Sequence, residues 1–284
     1  MKRVIIFLVL SALHLSIFPQ SGFFVKDANI EKWHQEGKNL ETEIKKVSFS
    51  PEIQSVINEQ SVSLETLIPY FHYIDFNSDG ILDIIFNGKI GSQDYVFIFM
   101  KKGETYVLLL KEKGAVIQAN LPNEGYNLSI SVWHGACCGD YISVFTQFAY
   151  ISTNDSNYFK TESKSLVFKG TILPSVQIET LVKCTVAKVT HLRTMPEVDN
   201  ARNNSWMGNS LGIYSINATG TIYSEMMDSR NKYWYFVRMN NESDIYIHSN
   251  RFTYVKEVED AQNCYTYGWI FSDDVSFEEV ILDK

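Results

Sequence analysis

Short apolar runs, each broken within a few residues by glycine or by Asn, Asp and Ser, constrain this 284-residue chain more than any other feature. Ile81 to Phe86, Tyr95 to Met100 and Tyr106 to Leu110 are such runs. Five or six residues suit a strand and are too few for a helix that must bury a face. Gly91-Ser92, and Lys101 to Glu104 with Gly103, fall between them as hairpin turns. Leu128 to Trp133, Tyr141 to Tyr150 and Ser165 to Phe168 continue the series, and Asn154 to Asn157 reads as a surface turn. The spacing predicts an antiparallel meander. With 14% aromatic residues, among them 16 Tyr and 18 Phe, the chain is rich in side chains that fill pleated surfaces.

Short helices are expected ahead of the meander. Asn29 to Gly37 is one candidate, and Ser50-Pro51 followed by Ile53, Val56 and Ile57 is another, with Pro51 at the first helical position and Ser50 as its cap. Gly170 to Ser175, with Pro174, reads as a linker. Beyond it a second strand series runs through Glu179 to Val189, Gly212 to Ile216, Gly220 to Ser224, Tyr233 to Met239 and Tyr267 to Phe271. The expected class is therefore mostly β, in two domains. Residues 22–175 form an antiparallel meander with short helices (α+β in character), and residues 176–284 form a small barrel or sandwich.

Residues 1–21 are expected to be a secretory signal peptide. Met1-Lys2-Arg3 precedes an apolar stretch from Val4 to Leu15, which is shorter than the roughly 20 residues of a membrane span. The remainder is expected to be exported to the periplasm or cell surface without stable membrane insertion. Formal net charge is -8, and loss of Lys2 and Arg3 takes it to -10. Such a chain is unsuited to nucleic acid, whose phosphates call for clustered Lys and Arg.

The sharpest motif is Asp75-Phe76-Asn77-Ser78-Asp79-Gly80-Ile81-Leu82-Asp83. Side-chain oxygens alternate at Asp75, Asn77 and Asp79, Gly80 permits a tight turn, and Asp83 returns another carboxylate. With the main-chain carbonyl of Ile81, this set can surround a hard cation such as Ca2+. The EF-hand pattern is not met, because Phe86 stands at its twelfth position and the flanks are β-like. Tyr73 to Ile85 instead resembles the calcium loop of FG-GAP repeats, in a single copy. That resemblance implies a β-turn-β cation loop that holds structure. The other reading is a metal-free turn in which Asp and Asn bond their own backbone.

Trp133-His134-Gly135-Ala136-Cys137-Cys138-Gly139-Asp140 is the second unusual stretch. A thiol nucleophile with His134 is one reading, and a metal site adding Asp140 is another. Adjacent cysteines fit one tetrahedral ion poorly. A turn stapled by a disulfide is the third reading, favoured by an even count of four cysteines in an exported chain: Cys137, Cys138, Cys184 and Cys264.

In the C-terminal half, Val189 to Pro196, Leu211 to Tyr214 with Ala218 to Tyr223, Lys232 to Val237, and Tyr267-Gly268-Trp269-Ile270 follow one another in an order that resembles a bacterial SH3-like domain. An enlarged loop around Trp206-Met207 and a long insertion between Met239 and Tyr265 depart from that pattern. The insertion contains Ile245 to His248 and Phe252 to Glu257, which can add a hairpin. The resemblance implies an SH3-like barrel with an aromatic-lined groove for extended peptides, and the available aromatics are Tyr214, Tyr223, Trp234, Tyr235 and Trp269. Core packing is the competing role for each, above all for Trp234 and Trp269. It also implies cell-wall peptide or another exported protein as the partner. First and last barrel strands can be neighbours in such a domain, so the resemblance suggests Cys184 with Cys264 and leaves Cys137 with Cys138.

The chain contains no Gly-x-Ser-x-Gly elbow, no His-Glu-x-x-His pair, no P-loop and no dinucleotide fingerprint. Three function classes stand at this point. They are a non-catalytic exported binding protein, a thiol-dependent enzyme using His134 with Cys137 or Cys138, and a structural or inhibitor-like partner of another exported protein.

Overall fold

A computed structural model describes residues 40–48, 50–60, 62–121, 128–135, 142–153, 156–178, 181–200, 202–203, 206–240, 245–248 and 264–277. The expected signal segment, the candidate helix at 29–37 and the turn bearing Cys137 and Cys138 lie outside them. The chain is mostly β, as its pattern predicts, with antiparallel sheets and a few short helices.

Two helices come first, α1 (Leu40–Ser48) and α2 (Pro51–Gln60). Ser50 caps α2 as expected: its carbonyl accepts the Gln54 N–H at 3.0 Å, and its hydroxyl stands 3.5 Å from the Ile53 N–H. Ile44 and Val47, then Ile53 and Val56, fall at helical spacing on buried faces. Two 3-10 turns lead into β1 (Phe71–Ile74), the strand that a β-turn-β loop at Tyr73 to Ile85 calls for ahead of the turn. β2 (Asp83–Ile90), β3 (Gln93–Lys102) and β4 (Thr105–Lys113) complete a four-stranded sheet in the order β1-β2-β3-β4.

β3 shows why this sheet lies in the middle of a sandwich. Tyr95, Phe97 and Phe99 face the helices, with Phe71, Phe86, Ile44 and Ile53. Val96, Ile98 and Met100 face the opposite way, toward Val116, Ile130, Val132 and Phe148 of a second sheet. A strand buried on both faces needs this unbroken apolar run. Buried Asn87 ties the layers together: its Oδ1 accepts the Val116 N–H at 2.9 Å. Polar groups join α1 to the sheet edge. Tyr106 Oη donates to Glu43 at 2.7 Å and lies 3.0 Å from Tyr73 Oη, and Lys46 pairs with Glu43 at 2.8 Å.

The second sheet starts with β5 (Ala115–Asn120), β6 (Ser129–His134), β7 (Ile142–Ser152) and β8 (Asn157–Phe168). The later strands are β9 (Val182–Val186), β10 (Thr190–Arg193), β11 (Arg202–Asn203), β12 (Trp206–Met207), β13 (Ser210–Tyr214), β14 (Thr219–Met227), β15 (Tyr233–Asn240), β16 (Ile245–His248), β17 (Tyr265–Phe271) and β18 (Val275–Phe277). The path runs β18-β9-β14-β15-β17-β8-β7-β6-β5. β8 and β17 pair in parallel, Tyr265 opposite Ser165, so the hydrogen-bonded ladder crosses the division expected at 175. β16 adds to β13, so the insertion does contribute a strand; its partner segment at 252–257 lies outside the described residues.

The C-terminal strands must roll up. β18 and β17 stand four places apart in the order, which is about 19 Å in a flat sheet at about 4.8 Å per strand. Yet only a 3-10 turn, Ser272–Asp274, separates them along the chain. Such a turn rises about 2 Å per residue, so only a curled sheet brings its two edges within reach. Gly268 allows β10 to cross closely here: a Cβ on it would lie 2.7 Å from the Arg193 carbonyl oxygen.

Candidate functional site

The acidic loop joins β1 to β2. Phe76 anchors it, buried with its ring 5.9 Å from Tyr150 and 6.1 Å from Phe159. Ser78 and Gly80 take left-handed backbone (φ 60° and 83°), which turns the loop back on itself. Asp75 accepts N–H bonds from Asp79 at 3.1 Å and Gly80 at 2.8 Å. Asn77 accepts from the Asp79 N–H at 3.1 Å, and Asp79 accepts from the Ile81 N–H at 2.8 Å. These are the backbone bonds of an Asx-rich turn. Each carboxylate oxygen has a second lone pair, so the bonds do not exhaust the loop's acceptors. Ile81 and Leu82 are exposed loop residues, and β2 begins only at Asp83.

Asp83 differs from the other loop acids. Alternation along β2 puts it on the same side as Ile85 and Asn87, between the sheets, and it is 0% exposed. Its Oδ1 accepts the Lys101 N–H at 2.9 Å, whereas Oδ2 has no hydrogen-bond partner. Burial pushes its carboxyl up to about 7, and the charges of Asp79 and Asp75 push the same way, against the N–H groups of Lys101 and Phe76. An all-oxygen donor set with surplus negative charge and an unmatched buried acceptor fits a hard divalent cation. Among the described residues no three His, Cys, Asp or Glu side chains are gathered as a ready-made metal site.

The aromatics expected to line a groove are largely inside. Tyr214 and Trp269 are 0% exposed, and Trp234 and Tyr223 are buried too. Tyr235 is half-buried beside Phe277. Along β15, Tyr235, Val237 and Met239 pack into the rolled interior, whereas Trp234 and Phe236 face outward with Tyr223, Tyr267 and Trp269. That outer aromatic face is covered by the chain itself. Residues 170–178, whose composition reads as a linker, run across it as a strap. Ile172 donates its N–H to the Thr194 carbonyl at 2.7 Å, and its own carbonyl accepts Trp269 Nε1–H at 2.7 Å. Ser224 Oγ donates to the Val176 carbonyl at 2.6 Å, and Ile178 N–H to the Tyr223 carbonyl at 2.8 Å. Leu173 packs on the face, and Pro174 is buried. Trp234, Trp269 and Tyr223 are thus core residues under a strap rather than an open groove.

Cys184 and Cys264 are buried thiols in one core cluster. The pairing suggested for them rested on adjacent strands, but β14 and β15 lie between β9 and β17, and the two edges of β9 are taken by β18 and β14. Burial pushes the Cys184 thiol up to about 12, which keeps it protonated and unreactive. His134 ends β6 opposite Val144. Cys137, Cys138 and Asp140 lie outside the described residues. Nearby, burial raises the Glu112 carboxyl, with Lys164, His134 and Lys113 opposing. No described helix is long and apolar enough to cross a membrane.

The chain matches no family model, no curated protein and no solved structure.

Two arginines of the C-terminal strands, Arg193 and Arg238, are not among the expected site residues. Arg193 is 5% exposed and donates to Asn209 Oδ1 at 2.7 Å, Asn200 Oδ1 at 3.1 Å and the Asp199 carbonyl at 3.2 Å, so it braces the enlarged loop before β13. Arg238 follows Trp234 and Phe236 at a spacing of two, which places it on the outer aromatic face. That periodicity was the available signal.

Proposed function

We propose that this chain is an exported, non-catalytic binding protein that engages cell-wall peptide through its rolled C-terminal strands, an SH3-like module, while the loop Asp75 to Asp83 takes a calcium ion. The rolled strand set carries this reading: β14, β15 and β17 meander, and the 3-10 turn returns the chain to β9, as a small barrel of that kind requires. The strap over Tyr223, Trp234 and Trp269 moves the binding surface away from those rings, toward the half-buried side chains at the margin of the aromatic face.

Asp83 supports the calcium reading. Asp75, Asn77, Asp79, the Ile81 carbonyl and Asp83 would hold the ion, and its charge would offset the burial of the Asp83 carboxylate. Its role would be to fix the β1–β2 loop against the second sheet.

Two measurements on the full exported chain test these readings. Cosedimentation with purified cell-wall sacculi is expected, and absence of binding both with calcium and with EDTA would overturn the peptide-binding assignment. Calorimetric titration with calcium chloride is expected to give saturable heat and a raised melting temperature. No heat and an unchanged melting temperature at millimolar calcium would remove the ion from the proposal.

A further inference from the structure

Arg238 projects from β15 on the outer aromatic face, opposite Tyr267 and next to the rung of Asn240 with Tyr265. Its guanidinium carbon lies 4.5 Å from the centroid of the Tyr265 ring and 5.8 Å from that of Tyr223. Both distances fall within cation–π range. The side chain is half-buried, and its Nε is enclosed without a hydrogen-bond partner. Among the described residues no Asp or Glu pairs with it.

A guanidinium carries five donors in one plane and needs in-plane acceptors. Ring faces attract its charge but accept nothing in that plane. Arg193, in the same module, shows the satisfied case, with three oxygens within hydrogen-bond reach. Arg238 has surrendered water around Nε, has gained two ring faces, and keeps a terminal edge that no described oxygen meets. The rings restrain the plane of the guanidinium, so the edge is already oriented. A flat pair of oxygens, the carboxylate, matches two parallel N–H groups at such an edge. A dianionic phosphate would meet more repulsion from a chain of net charge -8. The half-buried Tyr265 ring supplies apolar contact for the residue that bears the carboxylate, while the buried Tyr223 ring backs the guanidinium.

We infer that Arg238, seated on Tyr223 and Tyr265, is a recognition site for the terminal carboxylate of a peptide. The inference rests on the peptide-binding reading for the kind of molecule, and on the geometry of Arg238 for the group that is read. With so small a probe as N-acetyl-Ala-Ala, the expected dissociation constant is on the order of 1 mM.

The test is a nuclear magnetic resonance titration of the full 15N-labelled chain, following the Arg238 Nε–H signal, which is assigned by its disappearance in Arg238→Lys. N-acetyl-Ala-Ala with a free carboxylate should move the signal saturably. The same dipeptide as its C-terminal amide should bind at least tenfold more weakly, a comparison that needs no variant. Followed on neighbouring amides, Arg238→Gln should abolish the response while the rest of the spectrum is kept. No saturable shift, or an equal shift with the amide, would overturn the assignment, as would inorganic phosphate binding as well as the free acid. If sacculi sediment with the chain but the dipeptide acid does not bind, the Arg238 site falls and the peptide-binding reading stands. If the acid binds but sacculi do not sediment, the carboxylate site stands and the wall assignment falls.

Discussion

Two hairpin turns of this molecule are built around aspartate and end in opposite electrostatic states. In the β14–β15 turn, Asp228 accepts N–H bonds from Arg230 and Lys232, both at 2.9 Å. Its other oxygen meets Arg230 Nη2 at 3.1 Å and Trp234 Nε1 at 3.3 Å. The Lys232 N–H above all, with those of Arg230 and Trp234, holds the carboxyl down at about 2. In the β1–β2 loop, Asp83 accepts the Lys101 N–H on one oxygen, has its other oxygen without a hydrogen-bond partner, and has two like charges nearby. Donor supply separates the two, since both are aspartates at strand ends. The first turn has its acceptors matched, whereas the second leaves one buried acceptor, Asp83 Oδ2, without a donor. The two arginines repeat the contrast with the sign reversed: among the described residues Arg193 is matched by three oxygens, and Arg238 is met by none.

The largest expected effect is a pair of opposed pH dependences. The Asp83 carboxyl in the fold (about 7) lies above its ordinary value of 3.8. The folded state therefore keeps a proton that the unfolded chain releases, and the resulting stability, present below about pH 4, is lost as pH rises through 7. The rise corresponds to at most about 4 kcal/mol. Urea unfolding in EDTA at pH 5, 6.5 and 8 should show the decline, and Asp83→Asn should flatten it. Calcium should raise stability at pH 8, and a flat profile in EDTA would erase the contrast. Asp228 acts oppositely, since its stability is present above about pH 4 and lost as pH falls toward 2. Asp228→Asn should remove that acid-side loss.

The arginines come next. Arg193→Ala removes three hydrogen bonds under the enlarged loop and should cost about 2–4 kcal/mol by chemical denaturation. Arg238→Ala removes only ring contacts and should stay within about 1 kcal/mol. Equal costs would mean that Arg238 is structural. The smallest effect is expected at Cys184. Its thiol should resist alkylation in the native chain at pH 8 and react only on unfolding, read by intact mass. Labelling in the native state would break the view that its burial is complete.

Much of the fold was legible because its causes are local. The short apolar run Tyr95 to Met100, bounded by turn residues, marks a strand, Ser50-Pro51 marks a helix start, and Asp75 to Asp83 marks a loop that folds on its own side chains. What failed to show depends on partners far along the chain. Gly170 to Ser175 has the composition of a linker, and contacts distant in sequence, among them Thr194, Ser224 and Trp269, make it part of a strap. The aromatics of β14, β15 and β17 suit a groove as well as a core, and the choice was made by that strap. β5, Ala115 to Asn120, is short and ends in Gln118, Ala119 and Asn120, so it did not stand out. The acids of the loop were readable as donors. That Asp83 alone would be enclosed followed from the second sheet closing over it.

The parallel pairing of β8 with β17 has a kinetic consequence. Strand β8 is made early and gains its second neighbour only when a segment about a hundred residues later arrives. Until then its edge exposes unpaired N–H and C=O groups, a template for association with other chains. Pairing over such a separation slows folding. The nascent chain is therefore most exposed to aggregation in the interval between completion of β8 and arrival of β17, and truncation before residue 265 should leave that edge permanently open.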